Sequence, residues 1–105
     1  GFHYMVGSFG GNDVPCVPYS TFGTDQLAKD AGEALKDRAA CLLGSHGMIV
    51  RGANLGAAVK NAELLETLCR HYMLAKRLGE PYILSEKEWD AFFGRAKKVA
   101  YSSFI

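Results

Sequence analysis

The chain has no cysteine pair at metal-binding or redox spacing. Cys16, Cys41 and Cys69 stand far apart and are odd in number, so neither a zinc knuckle nor a thioredoxin-like motif is available. Lone thiols of this kind suit a reducing, cytoplasmic compartment, and the apolar settings of Cys41 and Cys69 make them small core hydrophobes. The chain also lacks an excess of charge of either sign. A formal net charge of +1 gives no electrostatic case for nucleic acid or an anionic membrane as partner. No apolar run approaches the roughly 20 residues that span a bilayer, and the start carries no basic segment followed by an apolar one, as a secretory signal would. His-x-His and His-Glu-x-x-His are both absent, so no local motif assembles a metal site. No carboxylate pair stands out: Glu63 and Glu66 fall at i, i+3 with Lys60 and Arg70 nearby, the pattern of a solvated helix face. Gly7-Ser8-Phe9-Gly10-Gly11 follows no strand-to-helix pattern of a phosphate loop and reads as a turn.

What is present describes one folded domain. At 105 residues there is room for no more, and 49% hydrophobic against 22% charged residues is ordinary for a packed chain. Residues 2–6, aromatic and β-branched, predict a strand on which His3 and Tyr4 face opposite sides. Val14 to Tyr19 carries Pro15 and Pro18, which suit an extended edge segment. Thr24 can cap a helix over about 25–37. Residues 39–44 and 47–51 are short apolar strands separated by Ser45 and His46. Asn54 can cap a long helix over about 55–78, with Leu55, Ala58, Val59, Ala62, Leu65, Cys69 and Tyr72 on one face and Gly79 and Pro81 as its stop. Ser85-Glu86-Lys87-Glu88 is a capping box that opens a last helix over about 86–98. The order predicts an α/β fold, a small sheet with helices packed on it.

Three histidines could carry chemistry. His71, beside Arg70 on the long helix, reads as a surface residue without a role. His3 shares the first segment with Tyr4. His46 stands in Gly44-Ser45-His46-Gly47, between two apolar strands, where an imidazole is poorly placed to fill a core and well placed to meet a metal at a strand edge. A lone histidine is more often structural than a ligand, since zinc normally takes three or four ligands.

The segments His3-Tyr4-Met5, Gly10-Gly11-Asn12, Pro15-Cys16-Val17-Pro18-Tyr19, Thr21-Phe22-Gly23-Thr24 and His46-Gly47-Met48-Ile49 occur in that order. With the long helix after Asn54, they resemble the C-terminal half of the class II aldolase/adducin family, from His3 to about Leu84. The Pro-Cys-x-Pro-Tyr-x-Thr-Phe-Gly-Thr segment favours its aldolase branch, which acts on sugar 1-phosphates such as fuculose 1-phosphate, over the related epimerases. The resemblance implies a three-layer fold and a zinc-dependent retro-aldol cleavage of a ketose 1-phosphate to dihydroxyacetone phosphate and an aldehyde. Zinc would polarise the ketone and stabilise the enediolate. The resemblance makes His46 the third of three zinc-binding histidines. It makes Tyr4 a proton donor acting at a neighbouring subunit's site, and Phe22 and Tyr101 substrate-lining residues. A homo-oligomer is implied, a tetramer in the family.

The family's other two zinc histidines, its glutamate base and its phosphate-binding loops would precede residue 1. The chain also opens at Gly1 without an initiator methionine. Residues 1–105 are therefore expected to be the C-terminal portion of such a domain, incomplete in its ligand set and inactive in isolation. Two rival readings share the resemblance: a non-catalytic, adducin-like oligomerisation module, or a sister sugar-phosphate epimerase, dehydratase or decarboxylase.

Overall fold

A computed structural model describes residues 1–99 of the chain. Three strands form one sheet in the order β1-β2-β3, with β1 at Cys16–Val17, β2 at Ala40–Leu43 and β3 at Gly47–Val50. β1 runs parallel to β2, with Val17 opposite Leu43, and β3 runs antiparallel to β2, with Leu43 opposite Gly47. Three helices cover the sheet: α1 at Asp25–Ala34, α2 at Leu55–Leu78 and α3 at Glu86–Lys98. The period of two along the strands divides the core into two layers. Ala40, Leu42, Met48 and Val50 pack with Val6, Phe9, Leu65, Leu68 and Trp89. Cys41, Leu43 and Ile49 pack with Val17, with Leu27, Ala31 and Ala34 of α1 and with Leu35 that follows it. The result is the expected α/β architecture, a sheet between α1 on one face and α2 and α3 on the other.

Caps set most of the boundaries. Thr24 Oγ1 accepts the Leu27 N–H at 3.3 Å and Asn54 Oδ1 accepts the Ala57 N–H at 2.9 Å. Ser85 and Glu88 form the reciprocal capping box. α1 ends at Ala34, three residues before its predicted end. β1 is confined to the two residues between Pro15 and Pro18, and it occupies an edge of the sheet, as prolines require.

The first segment departs from expectation. Tyr4–Phe9 is a 3-10 helix, not a strand. His3 begins it, its Nδ1 accepting the Met5 N–H at 3.0 Å, and Gly10 ends it in the left-handed region at φ 94°. A 3-10 helix repeats every three residues. Val6 and Phe9 therefore share a face and are both buried in the core, an outcome that a strand's alternation would deny them. The 3-10 helix also stacks the His3 and Tyr4 rings, with centroids 5.0 Å apart and planes at 22°, where a strand would have opposed them. The glycine-rich stretch read as a turn supplies the last turn of this helix and the bend after it.

α2 also packs differently from its predicted face. Leu65 and Leu68 are its buried residues, whereas Leu55 is 80% exposed and Val59 and Tyr72 are exposed as well. The reason is length. A four-residue strand spans roughly 13 Å, and a 24-residue helix about 36 Å, so both ends of α2 overhang the sheet.

The β3–α2 connection is tight at Gly52. A Cβ there would strike the Ala58 nitrogen and come within 2.8 Å of the Ala57 carbonyl carbon and 2.9 Å of the Ala58 Cα. These are backbone atoms that cannot swing aside. Gly52→Ala is expected to destabilise the chain by roughly 3 kcal/mol, lowering Tm by about 10 °C or more. Gly47→Ala, whose Cβ would meet nothing within 4 Å, serves as the matched control. Equal melting temperatures for the two variants would refute this account.

Candidate active site

The parallel register of β1 and β2 brings two loops to one end of the sheet. Residues 18–24 leave β1 after Val17, and residues 44–46 leave β2 after Leu43, its register partner. The loops are in contact: the Gly44 N–H donates to the Val17 carbonyl at 2.8 Å. A Cβ on Gly44 would lie 3.0 Å from both the Val17 oxygen and the Tyr19 nitrogen, so glycine here permits the close approach.

His46 stands in the β2–β3 turn, exposed, and its backbone N–H donates to the Leu43 carbonyl at 3.0 Å. Among the described residues its imidazole has no hydrogen-bond partner, which leaves a ring nitrogen available as a donor to a metal. The preceding residue, Ser45, has φ 53° and is the sole non-glycine residue with positive φ among those described. That conformation costs a side-chain-bearing residue about 1–2 kcal/mol, and strain of this kind gathers at functional sites.

Phe22 lies in the neighbouring loop, between Thr21 and the Gly23 turn at φ 74°. Thr24 fixes that turn by donating from Oγ1 to the Thr21 carbonyl at 2.7 Å. The Phe22 ring is 78% exposed, and Tyr19 in the same loop is exposed too. Two exposed aromatics therefore lie in the loop that packs against the turn carrying the unpartnered imidazole. The structure thus brings His46 and Phe22 to the same end of the sheet.

Tyr4 belongs to a different layer. Its ring stacks on His3 and lies 5.8 Å from the ring of Phe92 on α3, and the residue is 54% exposed. Tyr101 lies outside the described residues. His71 is exposed on α2.

One imidazole is not a zinc site, which takes at least three protein ligands. Among the described residues no three His, Cys, Asp or Glu side chains come together to hold a metal. The thiols do not fill the gap. Burial pushes the Cys41 and Cys69 thiols up from their ordinary range, with Glu66 adding to the effect at Cys69, so both stay protonated at neutral pH. Sequence reasoning passed over Ser45 and Tyr19. Nothing in the residue type of Ser45 announces a left-handed backbone. Tyr19 could have been found from its place in the same aromatic loop as Phe22.

The profile of a family described as "Class II Aldolase and Adducin N-terminal domain" matches residues 1–73. The chain is 43% identical over 96 residues to a 5-methylthioribulose-1-phosphate/5-deoxyribulose-1-phosphate aldolase of Rhodospirillum rubrum, covering 91% of this chain and 43% of that protein. It is 41% identical over 87 residues to the L-fuculose phosphate aldolase of Escherichia coli, covering 82% and 40%. A solved structure of an L-fuculose 1-phosphate aldolase superposes with a TM-score of 0.83 at 36% identity, covering 91% of this chain and 45% of that one. The chain spans less than half the length of the curated relatives it matches.

Proposed function

This chain belongs to the class II aldolase and adducin family, and from that premise we propose that it is the C-terminal portion of the catalytic domain of a sugar-phosphate aldolase. The reaction is retro-aldol cleavage of a ketose 1-phosphate to dihydroxyacetone phosphate and an aldehyde. The observation that carries this reading is the pairing of loops at one end of the sheet, where an unpartnered imidazole on a strained turn adjoins a loop of exposed aromatics. A purely oligomeric module needs neither feature.

In this reading His46 is one ligand of a zinc ion whose remaining ligands come from the rest of the parent protein. Zinc supplies Lewis-acid stabilisation of the negative charge that forms when the carbon–carbon bond breaks. Phe22 gives the aldehyde end of the substrate an apolar surface that excludes water. Tyr4 manages the proton at the aldehyde oxygen of a neighbouring subunit's site, which makes the working enzyme a homo-oligomer. The exposed apolar residues on the overhanging ends of α2, Leu55 and Val59 at one end and Met73, Leu74 and Leu78 at the other, support an assembled state, because apolar patches of that kind drive association. Among the described residues the cysteines are free thiols and no helix is long and apolar enough to cross a membrane. The proposal places the parent enzyme in a reducing, cytoplasmic compartment, which lone thiols suit.

The test is direct. Purified full-length parent, loaded with zinc, is offered fuculose 1-phosphate and 5-deoxyribulose 1-phosphate, and dihydroxyacetone phosphate is measured enzymatically. Cleavage of at least one, abolished by a chelator and restored by zinc, is the expected result, with the 105-residue chain inactive on both. Cleavage of neither by the zinc-loaded parent, or chelator-resistant cleavage, refutes the proposal.

A further inference from the structure

Tyr4 is an exposed residue that must nonetheless hold one position. It begins the 3-10 helix and is 54% exposed. Among the described residues its hydroxyl has no hydrogen-bond partner, so nothing at the tip of the side chain fixes it. A change of rotamer about the Cα–Cβ bond carries a tyrosine hydroxyl several ångströms away. A proton donor must stay within hydrogen-bond reach of the atom it serves.

Ring contacts supply the restraint. A chain of aromatic rings links α2 to α3, and Tyr4 lies within it. Tyr72 of α2 meets Phe2 edge-on, with centroids 5.2 Å apart and planes at 65°. Phe2 meets His3 in the same manner at 5.9 Å. His3 stacks on Tyr4 at 5.0 Å, and Tyr4 lies 5.8 Å from Phe92 of α3. All four separations fall in the range where aromatic pairs attract. Of the two rings that flank Tyr4, His3 is the closer, and its plane is the more nearly parallel, at 22° against 50°.

His3 is itself held at two points. Phe2 packs against its ring, and its Nδ1 accepts the Met5 N–H at 3.0 Å. Its backbone is extended, φ −143° and ψ 138°, as an N-cap requires. Ser, Thr, Asp and Asn are the residues that usually make such a cap. Histidine makes it with a ring nitrogen, so the hydrogen bond that starts the helix also sets the plane of a ring beside Tyr4. A short polar side chain would supply the cap without the ring.

We propose that His3 is a positioning residue for the reaction: its ring selects the Tyr4 rotamer that presents the hydroxyl to a neighbouring subunit's substrate. This role rests on the reading of Tyr4 as the proton donor, and it gives His3 no contact with substrate or metal.

The experiment measures kcat, KM and Tm in the zinc-loaded full-length parent, with whichever of the two sugar phosphates it cleaves. His3→Asn keeps an acceptor for the Met5 N–H and removes the ring. It should hold Tm and KM and lower kcat about tenfold, the upper end of what one aromatic pair can hold. His3→Phe keeps a ring beside Tyr4 and removes the acceptor. It should melt lower through loss of the cap, yet turn over faster than His3→Asn. A residue that served only as a cap would reverse that order. In a Tyr4→Phe background, His3→Asn should lower kcat no further, because the ring acts only through the hydroxyl. Wild-type kcat in His3→Asn, a His3→Asn parent that unfolds, a His3→Phe parent slower than His3→Asn, or the same loss with and without the Tyr4 hydroxyl would each overturn the proposal and leave Tyr4 as the donor. Near-normal kcat in Tyr4→Phe alone would instead remove the donor, and the positioning role with it.

Discussion

His46→Ala in the full-length parent is expected to lose its zinc and its turnover while keeping its fold. The turn around residue 46 rests on backbone groups. The N–H of residue 46 donates to Leu43, the Gly44 N–H donates to Val17, and Leu43 pairs with Gly47. Alanine preserves all of these. The imidazole is exposed and without a partner among the described residues, so its removal should change stability by no more than about 0.5 kcal/mol. The effect on the metal should be far larger. Losing even a partner behind a zinc ligand costs about 10–100-fold in affinity or activity, and losing a ligand itself should exceed that range. Zinc content by atomic absorption, Tm and dihydroxyacetone phosphate release are the three measurements. A variant that retains one zinc per subunit would remove His46 from the ligand set, and one that unfolds would overturn the account of the turn.

Local chemistry accounts for the parts of the fold that were legible in the sequence. α2 begins and ends where Asn54 and Gly79 place it, and α3 begins at the Ser85–Glu88 capping box, because a cap satisfies backbone groups within four residues and needs no distant partner. The two apolar strands and the proline-bounded edge strand were legible for the same reason. What stayed hidden depends on distant contacts. Residues 2–6 have the composition of a strand, yet they have no strand beside them. Instead Gly7 lets the Phe92 ring of α3 lie against the backbone, where a Cβ would come within 3.0 Å of Cζ. Packing from some 85 positions away thus overrides local preference. The overhang of α2 depends on the length of the sheet, which no periodicity within α2 reveals.

The site divides along the same line. A glycine-flanked histidine between two strands is a pattern in the sequence, and so is Phe22 before Gly23. That both lie at one end of the sheet follows from the parallel pairing of β1 with β2, which brings their two loops together. The strain at Ser45 is a fact of the backbone that a residue type does not carry.

Tyr4→Phe in the parent is expected to lower kcat by roughly 10²–10⁴-fold, the range for a general acid, with zinc content, assembly and stability unchanged. The geometry makes this substitution unusually clean. Tyr4 contributes its ring to a stack with His3 and a tilted contact with Phe92, and phenylalanine keeps both. His3 is held in place by the Met5 N–H on its Nδ1, so the platform under the ring does not depend on the hydroxyl. Among the described residues nothing accepts from or donates to the Tyr4 hydroxyl, so its removal leaves no group stranded. A loss of turnover would then report the proton alone. That Tyr4 serves a neighbour's site can be tested by mixing subunits. His46→Ala subunits lack a ligand and Tyr4→Phe subunits lack the donor, each inactive alone. Co-assembled after dissociation, a Tyr4→Phe subunit can receive the hydroxyl of a His46→Ala neighbour, and activity should return at those shared interfaces. Mixed assemblies that stay inactive would confine Tyr4 to its own subunit's site, and a Tyr4→Phe parent with near-normal kcat would reduce the residue to a packing partner of His3 and Phe92.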